Sequence, residues 1–149
     1  MKLSTKGRYG LRAIVELAAR QGDGPVSLPV IAAEQGVSEA YLEQLMRLLR
    51  QAGLVATARG KAGGYLLARD AAQISVAQIL TALEGSTALT DCVGTDASVC
   101  ERACFCASRP LFLTLQSRID AVLKETTLSD LCKDYKEQKR RSENATSLS

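Results

Sequence analysis

Four of the five cysteines in this 149-residue chain stand within fifteen positions, CVGTDASVCERACFC, as Cys92, Cys100, Cys104 and Cys106. Thiolates are soft donors that suit iron–sulfur clusters, zinc and copper(I), and they also serve as disulfide partners or redox sensors. The chain has no histidine, so any nitrogen or oxygen ligand must come from outside this loop. A closed zinc site shows two tight cysteine pairs. Cys100 and Cys104 make one such pair, but Cys92 is isolated and there is no second. Loose spacing in a loop containing glycine and serine suits a surface iron–sulfur cluster better, with metal-free redox thiols as the alternative. Without histidine the commonest general base is missing, and no C-x-x-C occurs, so no enzyme is expected. Cys132, far from the others, reads as a packed core thiol.

The rest of the chain must position that loop. Hydrophobic residues make up 46% of it and charged ones 23%, the balance of a folded domain. No apolar stretch is long enough for a signal peptide or a bilayer crossing, so the expected location is the cytoplasm, where structural disulfides are disfavoured. The net charge of +3 is uneven: residues 1–70 carry ten Lys/Arg against six Asp/Glu, the remainder nine against ten. A basic first half suits a polyanion, although a solvated basic face has the same composition.

Residues 3–20 read as a helix with Leu11, Ile14, Val15 and Ala18 on one stripe. QGDGP breaks it. Ser27 is the expected N-cap of a short helix over LPVIAAEQ, which Gly36 ends, and Ser38 caps a third helix over 39–52. Leu42, Leu45, Met46 and Leu49 form the apolar stripe of that third helix. Two helices joined by a tight glycine turn are the helix-turn-helix signature, shared with generic helical hairpins. The adjoining segment favours the first: Leu54–Ala58 and Gly64–Ala68 read as two strands of a wing, with Arg59 and Lys61 at its tip. The expected DNA contacts are Ser38, Tyr41, Glu43 and Gln44, with Arg47 and Arg50 behind them and Arg59 and Lys61 on the wing. Glu43 can accept from cytosine N4 and Gln44 can pair with adenine. Cations at the wing tip suit phosphates or the minor groove.

Residues 75–84 form another expected helix, between Ser75 and Gly85. After the cysteine loop, residues 108–124 carry an apolar seam of Phe112, Leu115, Ile119 and Val122, widened by Leu111 and Leu123. A face this wide suggests a partner helix, with cover by the domain's own core as the alternative; a partner helix would make a homodimer, expected on a roughly palindromic operator in double-stranded DNA. A short helix over 127–138 holds Cys132, and the polar tail from 139 to 149 is expected to be disordered. The expected fold is mainly α: a winged helix-turn-helix (1–70), a linking helix and cysteine loop (71–107), and a dimerisation helix with a C-terminal helix (108–138).

MKLSTKGRYGLRA, VSEAYLEQLMRLLRQAGLV, RGKAGGYLL and TTLSDL resemble, in the same order from residue 1 to about 132, the iron–sulfur cluster regulator (IscR) family. The resemblance implies a dimeric winged-helix transcription factor. It also implies a cluster, 2Fe–2S or 4Fe–4S, held by three loop cysteines and a variable fourth ligand. CASRPLF leads into the long helix as the family pattern does, so Cys106 matches the third family cysteine, and Cys92 and Cys100 the first two. Cys104 is extra. It is a candidate fourth ligand, though its separation from Cys106 by one residue makes joint ligation awkward. Where cluster-assembly members have a histidine this chain has Arg109, and where nitric oxide regulators have an acidic ligand it has Arg8. Some members carry no cluster, so the alternative to a regulator sensing redox or iron–sulfur status is a cluster-free regulator of cysteine or sulfur metabolism, using thiols or a protein partner.

Overall fold

A computed structural model describes residues 2–94 and 100–148. Among the described residues, six helices and a two-stranded sheet follow in the order α1 (Thr5–Ala19), α2 (Leu28–Gln35), α3 (Glu39–Gln51), β1 (Val55–Ala58), β2 (Gly64–Leu67), α4 (Val76–Glu84), α5 (Arg109–Glu125) and α6 (Leu128–Ser147). Single 3-10 turns occupy Ala71–Gln73 and Asp91–Val93. Fully buried Ile14, Ile31, Leu42, Leu45, Met46, Leu49, Leu54, Ile79 and Leu83 join α1 to α4 and the root of the wing in one core.

Local chemistry sets the boundaries. Ser4 Oγ accepts the Gly7 N–H at 3.2 Å to start α1. Gly36 takes φ 64°, a left-handed conformation that ends α2 without a Cβ penalty, and Ser38 Oγ accepts the Tyr41 N–H at 3.2 Å to start α3. Ser27 holds the extended N-cap backbone but makes no side-chain cap bond. Pro29 in the first turn has no N–H to offer one. In the hairpin Val55 pairs with Leu67 and Ala58 with Gly64. Val26 adds an isolated antiparallel bridge on the other edge of β2, exchanging two 2.8 Å backbone bonds with Tyr65. A Cβ on Gly64 would collide with the Val26 carbonyl, so only glycine permits this approach.

Helix α4 begins with a capping box between Ser75 and Gln78. Its start is tied to the α5–α6 junction, where Val76 N–H donates to Thr126 O at 2.9 Å and Leu128 N–H to Ile74 O at 2.8 Å. Helix α5 packs on α4 and on the Asp91–Val93 turn, while α6 packs along α1 through Leu128 and Cys132, both buried. Cys132 is thus the expected core thiol. The tail from residue 139 departs from the sequence expectation: α6 continues to Ser147. A Thr127–Asp130 capping box starts this helix, neither glycine nor proline interrupts residues 128–147, and Glu137 pairs with Arg141 one turn on. Polar composition, read as disorder, is here the composition of a solvated helix.

A buried charge fastens α6 to the winged-helix half. Glu16, 2% exposed, accepts from Arg20 Nε at 2.7 Å and from the Tyr135 hydroxyl of α6, and Arg20 also reaches Glu34 of α2 at 3.4 Å. Burial alone would raise the Glu16 pKa, but the bonds from Tyr135 and Arg20 outweigh it and hold the carboxyl below its ordinary value.

Candidate nucleic-acid interface and cysteine loop

Helix α3 buries Leu42, Leu45, Met46 and Leu49, which turns Glu39, Glu43, Gln44, Arg47 and Arg50 to solvent on its other face. None of those five forms an ion pair among the described residues. Glu39 in the first turn and Arg50 in the last both complement the helix dipole. Ser38 is exposed at the N-terminus, with its hydroxyl engaged as the cap. Tyr41 is half-buried and meets the Tyr9 ring edge to face, centroids 6.3 Å apart at 84°. The Arg12 guanidinium lies 5.4 Å from the centre of the same Tyr9 ring. At the wing tip Arg59 and Lys61 are exposed beside Gly60, whose φ of 104° makes the turn. The half-buried Tyr9–Tyr41 contact therefore joins α1 to α3 beside the exposed face of α3, and the wing carries a separate, cationic set.

Tyr9 and Arg12 are not among the residues that the sequence pattern singles out. Both lie off the Leu11–Ile14–Val15–Ala18 stripe that marks α1, and their signal is positional: an aromatic and a cation one turn into a helix with Lys6 and Arg8 beside them.

The cysteine loop is built differently. Cys92 is half-buried in the Asp91–Val93 turn with the Thr90 hydroxyl 3.1 Å from its sulfur. Cys100 is half-buried and Cys104 exposed, and Cys106, half-buried, has Ser108 Oγ 3.2 Å from its sulfur. The Ser108 hydroxyl, then the backbone N–H groups of Ser108 and Arg109, then the Arg109 charge hold the Cys106 thiol below its ordinary pKa. Arg109 Nε is buried without a hydrogen-bond partner among the described residues. Among those residues no three cysteines or carboxylates gather as a metal site. The donor set nonetheless fits an iron–sulfur cluster in kind: several free thiols, one of them with a lowered pKa, and no hard-donor cage among the described residues.

Residues 3–134 match the Rrf2 profile, described as "Iron-dependent Transcriptional regulator". The chain belongs to the Rrf2 family. Among its relatives, the HTH-type transcriptional regulator IscR of Yersinia enterocolitica is 42% identical over 88% of this chain and 79% of its own length. Two solved Rrf2-like structures superpose closely. CymR, the global cysteine regulator of B. subtilis, is 42% identical with a TM-score of 0.76, over 89% of this chain and 97% of that one. T. potens IscR is 42% identical with a TM-score of 0.75, over 93% and 90%. The winged-helix architecture is thus shared between these Rrf2 relatives and this chain.

On the long Rrf2 helix α5 the expected seam divides. Leu115 and Val122 are 41% and 61% exposed, whereas Phe112 and Ile119 are half-buried. Ile119 and Leu123 line a cleft with Leu3 and Leu80, so they face the chain's own α4 and N-terminal segment. Leu111 joins Leu115 and Val122 at spacings of four and seven in one open apolar stripe, while Leu113 is exposed on another side of the helix.

Proposed function

We propose that this DNA-binding Rrf2 regulator acts as a homodimer, with α3 of each subunit in a major groove and each wing on neighbouring phosphates or the minor groove. The carrying observation is the solvent face of α3, unpaired Glu43, Gln44, Arg47 and Arg50 backed by a fully buried stripe, beside the exposed cations of the wing. Ser38 and Tyr41 complete the reading edge. The open stripe Leu111, Leu115 and Val122 supports pairing through α5, and two-fold pairing implies a roughly palindromic operator. Among the described residues no helix is long and apolar enough to cross a membrane. In this reading the regulator works in the cytoplasm, where its DNA lies. We assign it no catalytic step.

In this reading Cys92, Cys100 and Cys106 hold an iron–sulfur cluster, with Cys104 or a group outside the loop as fourth ligand. When bound, the cluster supplies a redox-sensitive charge next to the dimer helix. The test is protein purified without oxygen: a brown colour with stoichiometric iron and sulfide is expected, and serine at each of the three cysteines abolishes it. A second reading, a cluster-free regulator of cysteine or sulfur metabolism, is favoured by the absence of a gathered donor set among the described residues and by the likeness to CymR. Colourless protein that still binds operator DNA would select it.

A further inference from the structure

Helix α5 buries one residue, and it is polar: Gln116 is 8% exposed. Its carboxamide is occupied at both ends. Oε1 accepts the Leu89 backbone N–H at 2.6 Å, and Nε2 donates to the Thr87 carbonyl at 3.3 Å and to Asp120 Oδ1 at 2.8 Å. A carboxamide both accepts and donates, so this side chain serves the loop backbone as a neighbouring strand would. Leu89 leads into Thr90, whose hydroxyl lies 3.1 Å from the Cys92 sulfur, and then into the Asp91–Val93 turn. That turn rests on α5, where Val93 shares a cleft with Leu113, Gln116 and Ser117. No residue described between Gly85 and Ser108 is fully buried, so apolar packing does little to fix this approach to Cys92.

We infer that Gln116 is a positioning residue that latches the chain entering Cys92 onto the dimer helix, coupling the place of that thiol to the place of α5. The latch stands on its own contacts; its consequence for a cluster rests on the reading of Cys92 as a ligand. The stripe Leu111, Leu115 and Val122 lies on a different face of the same helix. A shift of α5 against its partner therefore reaches Cys92 through the polar bonds of Gln116 as well as through the Val93 contact, and strain at Cys92 travels back the same way.

The experiment compares full-length, anaerobically purified wild type with Gln116→Leu and Gln116→Glu. Leucine fills the site without polar atoms. Glutamate keeps an acceptor for Leu89 N–H, loses the donor and faces Asp120. Thr114→Ala, which removes a hydroxyl bonded to Pro110 O on the same helix, is the control. The readouts are amide hydrogen exchange over residues 86–94 and over α3, and the rate of iron loss to a chelator. Losing these bonds should speed exchange at 86–94 about tenfold in Gln116→Leu and at least as much in Gln116→Glu, whose carboxylate would meet Asp120 and the Thr87 carbonyl, with α3 unchanged. Iron loss should accelerate in both variants, and Thr114→Ala should match wild type. Unchanged loop exchange in both Gln116 variants, or exchange raised equally throughout α3, overturns the latch. Faster loop exchange with unaltered iron loss overturns its tie to the cluster. Wild type without iron sinks the cluster reading instead, and the exchange data then decide the latch alone.

Discussion

Helix α3 seats Leu42, Leu45, Met46 and Leu49 in the core, whereas the described residues from Gly85 to Ser108 include none that is fully buried. The face of α3 proposed to read DNA is thus set by the fold alone: its side chains point outward because the other side of the helix is committed to the core. The cysteine loop is held by isolated polar contacts, among them Gln116 to Leu89 and Ser108 to Cys106. Free energies of local opening rise with burial and fall where polar contacts stand alone. The proposed operator-reading surface would gain from the first construction, and the proposed sensing segment from the second.

The largest test of that contrast compares stability across the two regions. Leu45→Ala empties a site only 1% exposed and should cost about 2–5 kcal/mol in denaturant melts. Cys92→Ser in metal-free protein should leave the melt within about 0.5 kcal/mol of wild type while removing the visible absorbance of the anaerobic preparation. Equal losses at both sites would mean that the loop is as structural as the core.

The proposed dimer face comes next, and the structure changes the choice of variant. Ile119→Glu, the natural choice from the seam, would strike the contact with Leu3 and Leu80 as well as any partner. Val122→Glu tests pairing more cleanly. A charge set against an apolar partner surface should weaken association by about 2 kcal/mol or more, roughly thirtyfold, read as monomers in sedimentation with an unchanged melt of the subunit. Dimers that persist at low micromolar concentration would move the interface away from this stripe.

Where burial and capping follow a period, the sequence is a good guide. Helices α1 to α4 and both strands lie within about two residues of their expected bounds, because Ser4, Ser38, Ser75 and the glycines at 36 and 85 start or stop the chain by local chemistry. Three features were not legible. The seam of α5 cannot reveal which apolar residues face the chain's own α4, since intrachain and interchain burial share one period. The extent of α6 was hidden because charged residues suit a solvated helix and a disordered tail alike. Tyr9 meets Tyr41 across 32 positions, a contact only the fold creates. For the cysteines, sequence supplied the donors and their order, but assembly depends on tertiary placement that spacing does not encode.

The Glu16–Tyr135 contact tests whether α6 belongs to the rigid side of the comparison. Tyr135→Phe leaves one oxygen of a buried carboxylate without its donor, a cost of about 1–2 kcal/mol. The pH dependence carries the sign. Burial first, then the bond to Glu16, pushes the Tyr135 hydroxyl up to about 12. A raised acid favours its neutral form in the fold, so its stabilisation is complete below the unfolded value of about 10 and is lost as pH climbs toward 12. Glu16 is the reverse: its pKa is lowered, so its contribution is present above the unfolded carboxyl value and lost as pH falls through the folded one. Wild type should therefore lose stability above pH 10 by a component that Tyr135→Phe lacks. Parallel alkaline profiles would show that the contact contributes nothing in solution.

The smallest effects separate the two parts of the proposed DNA surface. Arg59 and Lys61 are exposed and form no ion pair among the described residues, so nothing in the fold depends on their charge. If they meet phosphates, each contact releases counterions, and the Arg59→Ala/Lys61→Ala double variant should flatten the log–log salt dependence of binding by about two. Its affinity near 0.1 M salt should fall roughly fivefold, about 1 kcal/mol, by the same factor on operator and on unrelated duplex. Gln44→Ala should act the other way: an unchanged salt slope, with a loss confined to the operator and to one base position in each half-site. A sequence-dependent loss in the double variant would turn the wing into a reader of base or groove shape. A salt-slope change in Gln44→Ala would move the α3 face from base edges to phosphates.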